Sequence, residues 1–293
     1  MFLPDSQLIE SLAVAFADVP LASDDAFRNA TDIRSALLSN ERVRGIVELV
    51  NEVLTEQGFV QIKGFSPEAD RLLAGWTCLL GSPHVDKDHG GGAIRAEVRP
   101  GQHLMGNQLR ELPLHTDYSM LESPPWLTIS FCRQADPING LGNLAIVDAE
   151  CPWFGLESSS EFRQLSSVLF PFAGMSVSNT TEVIHRPIVS TADAGKPFLV
   201  RYHRSRIVQG FRCTNQVATE EQAELMLGFE NRMNSLSRML TIDAGDLTIV
   251  DNHRMLHGRG CCSVELTDNL TVSGRKMQFA FAHSIDINDL GSR

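Results

Sequence analysis

His115 and Asp117 are two residues apart, and a third candidate ligand, His257, lies far downstream. On an extended strand, residues i and i+2 project to the same side, so the near pair can aim at one ion. Two imidazoles and a carboxylate suit ferrous iron, filling three positions on one face of the metal and leaving the others for substrate chemistry. A lone His-x-Asp arises by chance in any long chain, so the flanks matter. Leu-Pro-Leu-His115-Thr-Asp117-Tyr leads into an apolar run, and Gly245-Asp-Leu-Thr-Ile-Val-Asp-Asn-His253-Arg-Met-Leu-His257-Gly-Arg-Gly carries two further imidazoles. His253 competes with His257 at this point. Read as one strand, Asp251, His253 and Met255 share a face, with Asn252, Arg254 and Leu256 on the other.

The elements that must position these residues read as follows. Residues 5–17 and 41–57 look helical, the second because Val43, Ile46, Val47, Val50, Val53 and Leu54 recur at helical spacing. Gly58 should stop that helix, and Phe59–Ile62 reads as a strand. Ser66-Pro67 is expected to start a helix running to about Leu80. The stretch 81–102 is rich in Gly, charge and His and reads as a flexible loop, with Gly90-Gly91-Gly92 as its hinge. Beyond Leu112, β-rich runs dominate, at 127–132, 144–147, 183–189, 198–202, 247–250 and 277–282, with helical insertions at 159–169 and 219–240. Many short strands separated by turns suggest a barrel or sandwich.

The chain has 293 residues, enough for one large domain or two small ones, with 43% hydrophobic and 21% charged residues, ordinary for a globular protein. A net charge of −11 argues against a nucleic-acid partner and gives no support to membrane-surface binding. It does not exclude an anionic small molecule, because a local cluster of arginines can override the global sign. No apolar run approaches a membrane span, and the N-terminal residues lack the basic start and apolar core of a signal peptide, so a cytoplasmic protein is expected. The six cysteines, at 78, 132, 151, 213, 261 and 262, show no zinc-ribbon spacing and are expected to be reduced thiols.

The segments LPLHTDYSMLESPPWLTISFCRQADP and GDLTIVDNHRMLHGRG…GRKMQFAF make the chain resemble the TauD/TfdA-like branch of the Fe(II)/2-oxoglutarate-dependent dioxygenases. The likeness spans roughly Leu112 to His283. It implies a mainly β fold with flanking helices (α+β), a cupin-like double-stranded β-helix or jelly roll. The implied organisation is a single domain over 1–293, with a helical part at 1–80 packed on the barrel and a core at 112–283 interrupted by the insertion 219–240. The resemblance selects His257 over His253, giving His115, Asp117 and His257 as the metal ligands, and leaves His253 and Asp251 in supporting roles. It makes Arg275 the clamp on the far carboxylate of 2-oxoglutarate, which a guanidinium fork suits. Asp117 speaks against halogenation, since halogenating relatives carry a small residue there. One departure stands out: relatives often carry Gly-Gly-Asp-Thr where this chain has Leu144, so the missing hydroxyl falls to Asn143 or Thr128.

Substrate contacts are expected from Asn107 and His103, before the metal strand, and from Arg201 and His203 in the basic run Arg201–Arg206, read as a strand. The stretch 81–102 is the expected lid. The implied reaction uses Fe(II), 2-oxoglutarate and O2 to oxidise, chiefly hydroxylate, an unactivated C–H bond of a small, amino-acid-derived or anionic metabolite, releasing succinate and CO2. Desaturation or ring closure in natural-product biosynthesis is the alternative outcome, and a non-catalytic metabolite-binding jelly roll the alternative of another class.

Overall fold

The computed structural model describes residues 6–20, 23–85, 92–150, 152, 159–174, 182–190 and 198–284. The helix Glu41–Gln57 forms where its spacing predicts. The Asn40 side chain caps its start by accepting from the Arg42 and Val43 N–H groups, and Val43, Ile46, Val47, Val50 and Leu54 are buried along one stripe. Gly58 ends it in the left-handed region, at φ 74°, and the chain enters the strand Phe59–Ile62 at once. The helix expected from Ser66 starts only at Leu72. Ser66 accepts from the Glu68 N–H and donates to its carboxylate, which holds 66–71 in turns. Two further helices, Ser23–Arg28 and Ala30–Leu38, carry too little apolar periodicity to be read from sequence.

Two antiparallel sheets, the larger of six strands and the smaller of four, make the body of the fold, with three two-stranded sheets besides among the described residues. The larger runs Phe59–Ile62, Leu247–Asp251, Leu127–Gln134, Lys276–His283, Ser82–Pro83, with Ile94–Glu97 also paired to Lys276–His283. The smaller runs Arg238–Leu240, Leu144–Asp148, Met255–Arg259, Leu112–His115. This is the jelly roll with helices packed on it. Strand alternation divides the core: Leu127, Ile129 and Phe131 pack outward with the N-terminal helices, while Cys132 joins Met277 and Ile242 in a separate cluster. The outer face of the smaller sheet, through Leu114, Val147 and Leu256, packs with Phe162, Ile207, Phe229 and Met233 of three later helices.

Several expectations need correction. The stretch 81–102 is not loop throughout, because Ser82–Pro83 and Ile94–Glu97 are recruited as strands by Lys276–His283; Gly90 and Gly91 lie outside the described residues. The expected strands at 183–189 and 198–202 shrink to Val183–Arg186, Val189–Ser190 and Leu199–Val200. The basic run does not stay extended, since Arg204 opens the helix Arg204–Cys213. The insertion expected at 219–240 is helical over Glu220–Leu236 with a full capping box at Thr219 and Gln222, after which Arg238–Leu240 pairs with Leu144–Ile146. Finally, 251–256 is not one strand: Asp251 ends a strand, Met255 begins the next, and the Arg254 N–H donates to the Asp251 carbonyl across the turn. That turn removes the assumed face alternation around His253.

Candidate metal centre

His115 ends its strand directly opposite His257 in the neighbouring strand, so strand register alone brings the two imidazoles together. The register shifts between His257 and Arg259, and Gly258 sits at that irregularity. A Cβ there would stand 2.6 Å from the Leu112 carbonyl oxygen, so only glycine lets the two backbones approach this closely. Asp117 follows two residues beyond His115 and turns back into the same cluster. The ligand atoms of His115, Asp117 and His257 all lie within 4.8 Å of one another.

Each part of the cluster is held. The imidazole of His115 is 2.9 Å from the Pro113 carbonyl through Nδ1; with the proton on that nitrogen, Nε2 is left as a lone-pair donor toward the cluster. Asp117 is fixed by its backbone: its N–H donates to Asn252 Oδ1 at 2.7 Å and its carbonyl accepts from Asn252 Nδ2 at 3.0 Å. The same Nδ2 donates to the Pro125 carbonyl, so Asn252, 1% exposed in the turn between two strands, ties three segments together. The Thr128 hydroxyl donates to Asp117 Oδ2 at 2.7 Å, with His257 Nε2 3.0 Å from the same oxygen. His115 Nε2 is 3.7 Å from Oδ1. Burial works against ionising Asp117, but His257 and His115 outweigh it and hold the carboxyl well below the usual range. Two imidazoles and a carboxylate of this geometry fit a divalent transition-metal ion. His257 Nδ1 is buried and has no hydrogen-bond partner among the described residues. His253 stands apart, 3.0 Å from the Pro124 carbonyl through Nε2.

Arg275 is buried inside the roll, 6% exposed, and burial lowers its pKa. Among the described residues its Nε has no hydrogen-bond partner and no carboxylate pairs with it. Gly142, at φ 66°, lies against it; a Cβ there would stand 2.9 Å from Arg275 Cδ. An unpaired buried guanidinium is costly unless an anion completes it, and a dicarboxylate supplies one. Asn143 turns away from this point, donating from Nδ2 to the Gly140 carbonyl at 3.2 Å. The Thr128 hydrogen goes to Asp117. Both side chains are thus engaged within the protein, Asn143 on a backbone carbonyl and Thr128 on Asp117.

The remaining four candidates separate. His203 lies beside the centre, its ring centroid 4.8 Å from that of His115. It is brought there by pairing of the chain around 116 and 202: the Thr116 N–H donates to the Tyr202 carbonyl and the Tyr202 N–H to Thr116 Oγ1. Burial, reinforced by repulsion from His115, pushes the His203 pKa well down, so the ring is neutral. Arg201 does not reach the centre. Its guanidinium donates to the carbonyls of Ser119, Leu121 and Glu122 and so holds the loop after Asp117. Asn107 belongs to the 3-10 turn Met105–Asn107, which meets the centre's border where Ser205 Oγ lies 3.7 Å from Met105 Sδ. His103 is exposed.

Sequence reading missed three residues. Asn252 carried no signal beyond its type. Arg259 donates to the carbonyls of Gln108 and Arg110 and thereby anchors the segment before the metal strand. Arg206, in the first turn of Arg204–Cys213, has a buried Nη1 without a hydrogen-bond partner among the described residues and lies within the electrostatic reach of Asp117 and Tyr118.

A family model described as "Taurine catabolism dioxygenase TauD, TfdA family" matches residues 28–265. No curated protein matches the sequence. Among solved structures, an asparagine oxygenase in complex with Fe(II), 2S,3S-3-hydroxyasparagine and succinate is similar at TM-score 0.75 and 19% identity, over 96% of this chain and 93% of that one. The non-heme iron oxygenase OrfP with Fe, succinate and (3S)-hydroxy-L-Arg is similar at TM-score 0.70 and 16% identity, over 98% and 95%. OrfP with Fe and alpha-ketoglutaric acid gives TM-score 0.68 and 15% identity, over 98% and 94%.

Proposed function

Because the chain belongs to the TauD, TfdA family of dioxygenases, we propose that it is an Fe(II)- and 2-oxoglutarate-dependent oxygenase that hydroxylates a C–H bond of a small, amino-acid-derived metabolite. The observation that carries this is the convergence of His115, Asp117 and His257 in a roll whose interior also holds the unpaired Arg275. The amino-acid class is supported by the similar structures, which hold hydroxyasparagine or hydroxyarginine.

Ferrous iron bound at this centre would couple O2 activation to decarboxylation of 2-oxoglutarate, giving succinate and CO2 and the oxidant for the C–H bond. The protein's own work is placement. His115, Asp117 and His257 supply only three donors and so leave room for a chelating keto acid. Arg275 takes the far carboxylate and fixes the direction from which the keto acid enters. Thr128 and Asn252 keep the Asp117 carboxylate turned inward. Neutral His203, with Asn107 on the adjoining turn, lines the side on which substrate docks.

The test is direct. Purified protein with Fe(II), 2-oxoglutarate and O2 should form succinate, and a screen of amino acids by mass spectrometry should find a product heavier by one oxygen that requires all three. An anaerobic mixture of the protein with Fe(II) and 2-oxoglutarate should show a visible charge-transfer band. Neither succinate nor the band would remove the reading in favour of a binding protein.

A further inference from the structure

The basic run Arg201–Arg206 contains three arginines with different fates. Arg201 spends its guanidinium on backbone carbonyls of the loop after Asp117. Arg204 points outward and pairs with Glu230 at 2.6 Å. Arg206 does neither. Its Nη1 is buried and finds no hydrogen-bond partner among the described residues, although the chain as a whole carries a net charge of −11 and has acids to spare.

The placement of Arg206 is tied to the metal centre by short links. Its N–H donates to the His203 carbonyl at 2.9 Å, and the His203 ring packs against His115. Ser205 stands 3.1 Å from His203 Nδ1 and also touches Met105 of the turn that carries Asn107. Asp117 and Tyr118 are the groups whose charge this guanidinium feels, while burial lowers its own pKa. Asp117 cannot serve as its permanent partner, because its carboxylate is committed to His115, His257 and Thr128. A buried guanidinium nitrogen without an acceptor is costly, and the cost is removed when an anion docks against it.

We propose that Arg206 is the specificity residue of this chain and that the substrate presents an oxyanion to it, a carboxylate or a phosphate- or sulfonate-type group, on the helix Arg204–Cys213 that follows His203, the residue packed against the ligand His115. The inference rests on the oxygenase reading only for the position of the reacting carbon. It narrows the substrate to a metabolite that carries an acidic group on the side facing Arg204–Cys213. Acids are then preferred over their amides, since an amide offers the guanidinium a neutral partner and leaves its charge uncompensated.

The experiment uses the full chain under anaerobic conditions, loaded with Fe(II) and saturated with 2-oxoglutarate so that Arg275 is occupied. Sulfate, inorganic phosphate and acetate are titrated separately by calorimetry. The unsubstituted protein should show saturable binding of at least one of them, and R206Q should bind that anion at least tenfold more weakly. Acetate binding tighter than the tetrahedral anions assigns a carboxylate; the reverse assigns a phosphate or sulfonate. Equal binding in R206Q, or no saturable binding in the unsubstituted protein, overturns the proposal. If R206Q fails to fold, R206K decides: it keeps the charge but loses the planar fork, so it should bind three- to tenfold more weakly, and unchanged affinity overturns the assignment. Succinate formation by the unsubstituted enzyme is recorded alongside. Its absence together with Arg206-dependent anion binding defeats the oxygenase reading alone, whereas its presence without such binding defeats this inference alone.

Discussion

Replacing Thr128 by valine removes one hydroxyl and almost no volume. In the structure that hydroxyl donates to Asp117 Oδ2 at 2.7 Å, inside a site where Thr128 is 3% exposed. His257 Nε2 approaches the same oxygen, but as a metal ligand its lone pair is directed at the ion, so Thr128 is the partner that persists. A hydrogen bond to a charged group contributes about 1.5–3 kcal/mol, and leaving a buried acceptor bare adds to the loss. That range corresponds to roughly 10- to 100-fold, the same size as the effect of deleting an outer-shell partner of a metal ligand. T128V should therefore weaken binding of Fe(II), or of Co(II) as a spectroscopic substitute, by that factor, while melting temperature and 2-oxoglutarate affinity at saturating metal change little. Competition against a calibrated chelator under argon measures it. Metal affinity within threefold of the unsubstituted protein would refute the idea that Thr128 orients Asp117. A selective loss of 2-oxoglutarate affinity would instead return Thr128 to the keto-acid contact suggested by sequence.

Other substitutions address the remaining parts of the site. D117A should abolish 2-oxoglutarate-dependent oxidation and weaken metal binding with the circular dichroism spectrum unchanged; normal turnover would show the ligand set to be misassigned. R275A should raise the 2-oxoglutarate requirement by roughly 30-fold or more, from a loss of about 2–5 kcal/mol for breaking a buried charge-assisted pair, and a change below about threefold in that requirement would remove the clamp. N252A strands Asp117 N–H, Asp117 C=O and the Pro125 carbonyl, and should cost roughly 2–4 kcal/mol in urea unfolding; a cost under about 0.5 kcal/mol would contradict its tying role. Burial pushes the Cys78 thiol up to about 12 and the Cys132 thiol up to about 11 from 9.0. Both should resist a thiol reagent at pH 8 until the protein is denatured, whereas exposed Cys213 and Cys261 react at once. The linkage sign also follows: above pH 9 the unfolded chain ionises these thiols while the folded one keeps its protons, so they make stability fall as pH rises toward 11.

Much of the molecule was legible in the linear chain because the relevant physics is local. Helical spacing with Gly58 after it sets Glu41–Gln57, since a stripe and a stop both act within a few residues. The β-rich run 127–132 marks most of Leu127–Gln134, and the His-x-Asp spacing nominates the near pair of ligands, while the choice of His257 over His253 came from the family resemblance. Non-local pairing decided the rest. Ile94–Glu97 is a strand only because Lys276–His283 offers it an edge, and nothing in its own residues demands that. Arg201 and Arg206 are indistinguishable by type and neighbourhood in sequence. The fold turns one onto the carbonyls of the loop after Asp117 and leaves the other with a buried Nη1 that has no hydrogen-bond partner among the described residues. Asn252 likewise acquires its meaning only when the turn between Leu247–Asp251 and Met255–Arg259 meets the backbone of Asp117. The sequence by itself determined which side chains have the chemistry to hold a metal and an acid. Only the tertiary structure decided which of them are free to do so, because a polar group's availability depends on the partners that distant segments bring to it.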